Sequence, residues 1–590
     1  MKTRLLLVVS FILATSVLGQ MSVTLTATAS QVPVGTPVGI TAQVTGVDPA
    51  GSAPAPQVWY RYRVHLIGQD YQTIRDFSPR TDLLWAPSIH EGTYEIEATA
   101  LNLSTGETAA QTSVFQVTPL ATRSPVITPT AHPLVFLYSA PDCGTGARMR
   151  VEYQAPSGDY QATPFKTCHS GLTTNFYIAG LQPNTSYHLR HNVDAGSRVR
   201  EGPPMSFKTG TLPLQLAPYT VSNAPSGASQ GVLLQSGLFE PAVATDLNGN
   251  VLWYYPSGDV SFLTRPVPGG TFLGIYEDST KDVAHQVLRE FDLAGYTVRE
   301  TNAARVNQQL QAMNKRQISA FHHEAEKLPD GTILTLGAVE QILTDVQGSG
   351  PVDVIGDMII ALDKNLQVIW TWDAFDHLDP HRMALLGETC SPTTAGCPPV
   401  YLAPTANDWL HGNALQFTAD GNILYSSRHQ NWIVKIDYSN GAGTGNVLWR
   451  LGLGGDFTIN SSDPYPWFSH QHDANFEAAD VTLLDVFDNG NMRYASDPSA
   501  HSRGQVLKID EQNRIATPVL NADLGAFSLA VGSAQRLADG NMHFDLGFIN
   551  TAQGQFSQSV EVDGNGSIGY EIQAQTPFYR TFRMSSLYAQ

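Results

Sequence analysis

The chain has 590 residues, with 53 Asp and Glu against 34 Lys and Arg, and a formal net charge of −19 at pH 7. Because the basic residues form no cluster, a nucleic acid or an anionic membrane surface is not expected as a partner. The length excludes a single hydrophobic core. Charged residues make up only 15% of a chain rich in Gly, Thr, Ser and Val, which favours an all-β protein of several domains.

The N-terminus, residues 1–19, has the features of a secretory signal peptide. Lys2 and Arg4 precede a mostly apolar run over residues 5–14, and small residues follow it. We expect cleavage near Gly19 or Gln20, and therefore a periplasmic or secreted protein. No later stretch reaches the roughly 20 apolar residues of a membrane span, so none is expected.

Two modules of short, alternating strands follow the leader. Residues 20–118 predict an Ig-like β-sandwich, and the Pro- and Thr-rich residues 119–133 predict a linker. Residues 134–212 predict a second sandwich, in which FYIAGLQPNTSYHLR at 176–190 resembles the turn before the penultimate strand of a fibronectin type III domain. We expect both modules to act in spacing and docking.

The four cysteines fall into two local pairs, Cys143 with Cys168 and Cys390 with Cys397. In an exported chain this arrangement predicts two disulfides. Four unpaired thiols and a zinc site are the alternatives, and the lack of a Cys-x-x-Cys spacing counts against zinc.

Residues 213–590 alternate two turn signals. One is an Asp-Gly type turn before an apolar strand, found in LPDGTIL at 328–334, TADGNIL at 418–424 and LADGNMHF at 537–544, with PGGTFL at 268–273 and DNGNM at 488–492 as weaker copies. The other is an apolar-Asp step that ends a strand, with copies at 244–253, 290–298, 361–370, 435–449, 508–515 and 561–568. Six copies of the second signal predict a six-bladed β-propeller of four-stranded blades. Two stacked sandwiches are not expected to repeat both turns in register.

Histidines recur at related positions in three successive repeats: His322 and His323 in FHHEAEKLPDG, His411 in DWLHGNALQF, and His470 and His472 in WFSHQHDAN. Equivalent positions of propeller blades meet around one channel, so these residues are expected to share a site. Residues i and i+2 of an extended strand project from the same face. We therefore expect both His470 and His472 to face the channel, but only one of His322 and His323.

Asn413 stands two residues after His411, and Arg428 follows in SSRHQ on the next predicted strand. Taken singly, each histidine is explained by a structural hydrogen bond as well as by a role in the shared site. Three converging imidazoles would also suit zinc or copper, whereas a guanidinium beside them repels a metal and completes a pocket for a tetrahedral oxyanion. We expect an anion site that needs neither a metal nor another cofactor.

Several stretches of residues 225–590 resemble the bacterial aryl-sulfate sulfotransferases: HHEAEKLPDG, DWLHGNALQF, SSRHQNWIVKID, LWRLG, WFSHQHDANF, SAQRLADGN and FYRTFRMSSLY. The resemblance implies a six-bladed propeller that moves a sulfuryl group from a phenolic sulfate to another phenol through a sulfated histidine, without a nucleotide sulfate donor. It implies small phenolic partners and leaves a homodimer open. This chain departs from the family in its two N-terminal modules and in placing its loop cysteines before His411.

Carried over by motif, the resemblance makes His472 of QHDA the nucleophile. His411, Arg428 and His323 are the other expected catalytic residues, with the choice between His322 and His323 left open. The expected substrate-binding residues are Asn413, His322, His470 and Ser533, the last from SAQRLADGN.

A sulfuryl group in transfer resembles a phosphoryl group in its loose transition state. Arg428 and a protonated His411 or His323 would stabilise its peripheral oxygens, while neutral His472 attacks sulfur. Donor and acceptor would use one site in turn, which implies ping-pong kinetics. The alternative functions are a metal-dependent propeller hydrolase or oxidoreductase, and a non-catalytic extracellular binding propeller.

Overall fold

The computed structural model describes residues 20–47, 57–156, 158–196, 198–213, 216–223, 231–257, 260–277 and 282–588. Over these residues the chain is all-β, with two short α-helices and two single turns of 3-10 helix. Within the same ranges, no helix is long and apolar enough to cross a membrane. The predicted signal peptide lies outside the described residues.

The first module packs two β-sheets against each other, in the strand orders β1-β3-β6 and β2-β8-β7-β4-β5. Along β7, Ile96, Ala98 and Ala100 are buried while Glu95 and Glu97 are more exposed, as the alternation of strand side chains requires. The strands are β1 Ser22–Ala27, β2 Gln31–Pro33, β3 Val38–Thr45, β4 Val58–Leu66, β5 Gln72–Ser78, β6 Asp82–Trp85, β7 Gly92–Asn102 and β8 Thr108–Thr118.

The second module has one sheet of order β9-β10-β14 and another of order β12-β11-β15-β16, in which β13 pairs with β11 and β17 with β15. The Tyr187 hydroxyl accepts a hydrogen bond of 2.9 Å from the Gln182 N–H, across the turn that the sequence singled out. The strands are β9 Val126–Pro129, β10 Phe136–Ala140, β11 Arg148–Gln154, β12 Gln161–Ala162, β13 Lys166–Thr167, β14 Thr174–Ile178, β15 Ser186–Asp194, β16 Val199–Glu201 and β17 Met205–Lys208.

The rest of the chain forms six antiparallel meanders of four strands each. Meander 1 joins β19 Val232–Gly237, β20 Val243–Asp246 and β21 Val251–Tyr254 to the last strand, β45 Phe578–Met584. Meander 2 contains β22 Val260–Val267, β23 Thr271–Glu277, β24 Val287–Asp292 and β25 Thr297–Asn302, and meander 3 contains β26 Ala320–Lys327, β27 Ile333–Thr344, β28 Pro351–Leu362 and β29 Val368–Asp373.

Three further meanders follow the same plan. Meander 4 contains β32 Gly412–Phe417, β33 Ile423–Ser427, β34 Trp432–Ile436 and β35 Val447–Gly452. Meander 5 contains β37 His472–Phe476, β38 Leu483–Asp488, β39 Arg503–Asp510 and β40 Ile515–Asp523, and meander 6 contains β41 Ser533–Arg536, β42 Met542–Thr551, β43 Gly554–Val562 and β44 Ile568–Ala574.

Short elements decorate these meanders. The strand β18 Tyr219–Asn223 pairs with β44, β31 Ala406–Asp408 pairs with β28 and with β30 Thr389–Cys390, and β36 Thr458–Ile459 pairs with β40. The helices are α1 Ala303–Ala312 and α2 Asn491–Ser496, and the 3-10 turns are Ala374–Asp376 and Ser439–Gly441.

Neighbouring meanders pack face to face. Leu336 and Ile359 of meander 3, for example, share one buried cluster with Tyr425 and Val434 of meander 4. The first strand of each meander contacts that of the next, and β45 contacts both β41 and β22, so the series returns to its start. Burial of each aliphatic side chain in these faces stabilises the folded protein by about 1.5–3 kcal/mol.

Both turn signals of the sequence have a structural reason. Gly331, Gly421 and Gly540 adopt positive φ angles in the turns after the first strands of meanders 3, 4 and 6. The apolar-Asp steps end third strands, where the carboxylate accepts backbone N–H groups of the turn, as Asp246 does from Asn248 and Asn250 at 2.9 and 2.8 Å.

One turn assignment is wrong. The sequence DNGNM at 488–492 predicts a turn before an apolar strand, but it follows β38, the second strand of meander 5, and leads into helix α2. Gly490 supplies the left-handed residue at the helix start, with φ of 78°. The motif matched the turn because Asn-Gly favours positive φ in both settings.

The first module docks on meander 2 through buried ion pairs. Arg75 of β5 donates to Glu300 of β25 at 2.8 Å, beside a backbone bridge between the same residues. Asp76 lies 3.2 Å from Arg305 of α1. Removing one partner of such a pair leaves a buried charge uncompensated, so this contact fixes the module's place on the meanders.

Each predicted cysteine pair lies at disulfide distance, Cys143 with Cys168 and Cys390 with Cys397. We expect peptide mapping of the oxidised protein under non-reducing conditions to recover these two linked peptides and no alkylatable thiol. A bridge between the two pairs, or four thiols that react with an alkylating reagent in the native protein, would contradict this prediction.

Candidate active site

A cavity of about 420 Å³ opens beside the first strands of meanders 3 and 4. Its inner wall contains His322, His323 and His411, and its outer wall is the loop closed by the Cys390–Cys397 disulfide, which ends near Tyr401. The cavity therefore brings histidines of two repeats together under a cross-linked loop.

Both His322 and His323 line the cavity, although only one was expected to. His323 has a φ of 58°, and the pairing of β26 with β27 is interrupted between His322 and Ala325. This bulge breaks the alternation of an extended strand, so adjacent side chains reach the same space. The two Nδ1 atoms lie 2.9 Å apart, and His322 Nε2 lies 3.1 Å from Asp357 Oδ1.

His411 is held by a carboxylate and by a close backbone contact. Its Nδ1 lies 2.7 Å from Asp408 Oδ2, and its ring lies 4.7 Å from that of His323. The next residue, Gly412, donates its N–H to Asp357 at 2.7 Å, and a Cβ there would lie 2.4 Å from the ring of Tyr425. Glycine is therefore required for the strand to approach Asp357.

Arg428 lies between the histidines of meanders 4 and 5. Its Nη1 donates to His429 Nε2 at 2.6 Å, and its Nη2 donates to the Leu529 carbonyl at 3.3 Å. Its Nε has no partner among the residues that the structure describes. Burial lowers the pKa of Arg428, and Glu388 and Asp408 oppose this shift. The guanidinium thus keeps one donor unused inside the protein.

His472 opens β37 and has a defined tautomer. Asn489 donates from Nδ2 to the carbonyls of Ser528 and Val531 at 2.9 and 3.1 Å, so its Oδ1 faces His472 Nδ1 at 2.6 Å. Nδ1 therefore carries the hydrogen, and Nε2 accepts the Val531 N–H at 3.2 Å. The lone pair on Nε2, which accepts this backbone N–H, is the nucleophilic position of the ring.

The pKa of the His472 imidazole lies well below 6.5, because burial disfavours the charged form and because Arg428, His411 and Arg580 add positive charge nearby. Burial, together with neighbouring His411 and Arg428, also holds the pKa of His323 and of His429 well below 6.5. Since His323 is held neutral, a protonated His323 is not supported as an electrostatic partner.

His470 does not reach the site in the way that the sequence suggested. It precedes β37 and has a φ of 54°, so the i, i+2 relation with His472 does not hold. Its Nε2 contacts Glu388 Oε1, and its backbone N–H donates to Asn431 Oδ1 at 2.8 Å. It is fully buried and, like His472 and Arg428, is not among the residues that line the cavity. Its contacts with Glu388 and Asn431 give it a structural role.

Asn413 and Ser533 also stand outside the cavity wall. Asn413 is fully buried and donates to the Gln471 carbonyl at 2.7 Å, while the Ser533 hydroxyl donates to the Thr581 carbonyl at 2.9 Å. The Oδ1 of Asn413 lacks a partner within the described ranges. The Ser533 hydroxyl is therefore engaged by the backbone of β45.

Among the described residues, two sets that contain histidines have ligand atoms within 4.8 Å of one another, Glu388 with His429 and His470, and Asp408 with His411 and His429. A third set is Asp408 with Cys390 and Cys397, whose sulfurs are paired with each other. His429 belongs to both, but its Nδ1 contacts the Asp408 carbonyl at 2.7 Å and its Nε2 accepts from Arg428. A metal bound there would have to displace the guanidinium. The donor set therefore suits an anion held by Arg428 better than a cation.

Three of the histidines, His323, His411 and His470, have left-handed backbones with φ between 52° and 58°. Non-glycine residues adopt this conformation at a cost of about 1–3 kcal/mol, and such residues cluster at functional sites. The shared strain marks this side of the meanders as a site independently of any sequence motif.

Several residues that hold the site together have no assigned role in the sequence interpretation. Asp408 lies three residues before His411 in DWLH, a spacing that could have suggested the pair. His429 stands in SSRHQ, Asn489 in DNGNM and Arg580 in FYRTFRMSSLY, all quoted above without a role for these residues. Glu388 lies far from the histidines in sequence, and no local pattern pointed to it.

Comparison with known proteins gives a consistent result for this part of the chain. The profile of the family described as Arylsulfotransferase (ASST) matches residues 219–580, more than half of the chain. The Arylsulfate sulfotransferase AssT of Escherichia coli O6:H1 (strain CFT073) is 24% identical over 406 residues, covering 60% of this chain and 61% of that protein. The protein of the same name from Lelliottia amnigena is 25% identical over 414 residues, covering 61% and 62%. The chain thus spans about three fifths of the length of these relatives.

Among solved structures, a protein of unknown function from Bacteroides caccae covers 60% of this chain and 99% of its own, with 12% identity and a TM-score of 0.36. A similarity of this size does not define the fold.

Proposed function

Since this chain belongs to the arylsulfotransferase (ASST) family, we propose that it transfers a sulfuryl group from an aryl sulfate ester to a phenolic acceptor, without a nucleotide sulfate donor. The observation that carries the proposal is the state of His472. A neutral imidazole with its lone pair on Nε2 lies near Arg428 in a water-poor site. This combination serves nucleophilic attack on an anionic group.

The architecture that we propose is a six-bladed β-propeller over residues 213–590, preceded by an Ig-like sandwich over 20–118, a linker over 119–133 and a fibronectin type III-like module over 134–212. The six meanders and the return of β45 to meander 1 support the propeller. The tyrosine contact across the Pro183 turn supports the fibronectin-like assignment. An exported location, periplasmic or secreted, agrees with the two cysteine pairs.

In the first half-reaction, His472 Nε2 attacks the sulfur of the donor and the bond from sulfur to the aryl oxygen breaks. The departing phenolate takes a proton from His411, whose ring is oriented by the contact of its Nδ1 with Asp408. The products are a phenol and a sulfated His472. Asn489 keeps Nδ1 protonated throughout and accepts its hydrogen bond.

In the second half-reaction, an acceptor phenol occupies the position that the first phenol left. Neutral His411 removes its proton, the phenolic oxygen attacks sulfur, and the bond from sulfur to Nε2 breaks. Free His472 and a new aryl sulfate result, so donor and acceptor use the site in turn and the kinetics are ping-pong.

Negative charge on the sulfuryl oxygens is stabilised by groups that are fixed before the reaction begins. Arg428 can donate from its unused Nε. The Val531 N–H, which donates to His472 Nε2 in the free enzyme, loses this acceptor when Nε2 bonds to sulfur and can then donate to a sulfuryl oxygen. Prearranged donors of this kind act most strongly where burial excludes water.

The pH dependence should reflect the depressed pKa of His472. Protonation removes the nucleophile only when the pH falls to that pKa, so the acid limb of the pH–rate profile of the donor half-reaction should lie below pH 6.5, the ordinary value of an imidazole. Rapid-mixing measurements of phenol release as a function of pH test this. An acid limb centred at or above pH 6.5 would contradict a neutral, buried nucleophile.

A chromogenic aryl sulfate, offered with and without phenol, tests the function itself. We expect sustained release of the coloured phenol only when an acceptor is present, together with formation of phenyl sulfate. The absence of turnover in both conditions would favour the alternative of a non-catalytic binding propeller. Activity that is lost on treatment with a chelator and restored by a transition metal would favour a metal-dependent enzyme.

A further inference from the structure

Arg580 of β45 is fully buried beneath the candidate active site, and its guanidinium contacts three strands that carry the histidines. Nη1 lies 2.6 Å from Glu324 Oε2 and 3.1 Å from Asp473 Oδ1, and Nη2 donates to the Asn413 carbonyl at 2.9 Å. Glu324 follows His323 in the chain, Asp473 follows His472, and Asn413 lies two residues after His411.

We propose that Arg580 is a positioning residue for the transfer reaction, which holds His323, His411 and His472 in their relative places by tying together the strands that bear them. This inference rests on the proposed function. Arg580 does not contact the reacting atoms, so it acts through the backbone and not as a catalytic group.

Neighbouring side chains restrict the movement of the two carboxylates that Arg580 contacts. Glu324 receives a second guanidinium, Arg265, at 2.9 Å on its other oxygen, and Asp473 accepts the Ala534 N–H at 3.1 Å. Asp473 also has a φ of 50°, a strained backbone directly after the nucleophile. Releasing Asp473 from Arg580 would let this backbone relax and carry His472 with it.

The adjacent residue reinforces the contact to the His411 strand. The Tyr579 hydroxyl donates to the same Asn413 carbonyl at 3.2 Å, and its ring packs edge-on against His323 with centroids 5.6 Å apart. Strand β45 therefore places two consecutive side chains, Tyr579 and Arg580, against the strands that bear the histidines. The site is complete only when β45 has paired with β19.

Arg580 also has an electrostatic effect that can be separated from its geometry. Its positive charge contributes to the depressed pKa of His472, after burial, Arg428 and His411. Lysine at 580 keeps the charge but supplies a point-like ammonium that cannot span three acceptors. Glutamine keeps a planar donor but removes the charge.

The test uses the full-length protein, its donor half-reaction and its melting temperature. We expect Arg580→Lys to slow the burst of phenol release by on the order of 10-fold to 100-fold, the loss that follows from displacing a reacting group by about 1 Å. The acid limb of its pH–rate profile should lie at the same pH as in the wild type. Arg580→Gln should show a similar or larger loss, with the acid limb moved to higher pH.

Arg583→Lys is the control, since Arg583 lies on the same strand and forms a partly buried ion pair with Glu561 of β43, and it contacts none of His323, His411 and His472. The inference is overturned if Arg580→Lys and Arg583→Lys lower the melting temperature by the same amount and both keep the wild-type burst rate per folded molecule. Arg580 would then have only a structural role. If the wild type itself gives no transfer, the proposed function fails first. Should Arg580→Gln not fold, Arg580→Lys and the pH profile still decide the question.

Discussion

Substitution of His472 by Asn is expected to abolish sulfuryl transfer while leaving the meanders folded. Donor without acceptor should release about one phenol per active site from the wild-type protein and leave an acid-labile sulfuryl adduct on the peptide that contains His472. The variant should give neither burst nor adduct, because its amide nitrogen has no lone pair available for attack. Rapid-mixing absorbance and mass spectrometry of the intact protein measure both quantities.

His411→Asn is the informative companion, because His411 has been assigned the proton transfer and not the covalent bond. It should slow phenol release but still allow the adduct to form on His472. A direct transfer between bound donor and acceptor predicts no burst, and intersecting double-reciprocal plots in place of parallel ones. Retained activity in His472→Asn, or a label on His470, His323 or a tyrosine, would show that the nucleophile is assigned wrongly.

Arg428→Lys is expected to reduce the turnover rate on the order of 10²-fold, although it conserves charge. The Arg428 guanidinium contacts His429 and the Leu529 carbonyl and still has its Nε–H to donate to a sulfuryl oxygen. The ammonium of lysine cannot reproduce this planar set of donors. The loss expected for one oxyanion donor is of this size. Steady-state rates with a chromogenic donor and a saturating phenol provide the measurement, with circular dichroism to check the fold.

Arg450→Lys offers the corresponding control in the same meander. Arg450 lies on β35 and forms a largely exposed ion pair with Asp456. Such surface pairs contribute about 0–1 kcal/mol, and the control should keep wild-type turnover. Equal turnover in Arg428→Lys, Arg450→Lys and the wild type would assign Arg428 a structural role through His429 and Leu529.

The sequence was most informative where the chemistry is local. The Asp-Gly turns and the apolar-Asp steps located the hairpins, because the residues that set φ and cap the turn lie within a few positions of each other. The same reasoning misplaced DNGNM, since Asn-Gly serves a helix start as readily as a hairpin. The alternation rule for strands failed at His322, His323 and His470, where bulges and left-handed residues interrupt the strand.

Composition, turns and motifs depend on neighbouring residues, so they were enough to predict an all-β chain with two cysteine pairs, and a set of histidines and one arginine that could share a site. How that set is used depends on contacts between distant segments. It made Asn489 the residue that fixes the His472 tautomer, turned His470 toward Glu388, and brought Arg580 beneath the histidines from the end of the chain. The physical reason is that buried hydrogen bonds and ion pairs are satisfied by whichever groups packing brings together, and packing is a property of the closed series of meanders and not of any one segment.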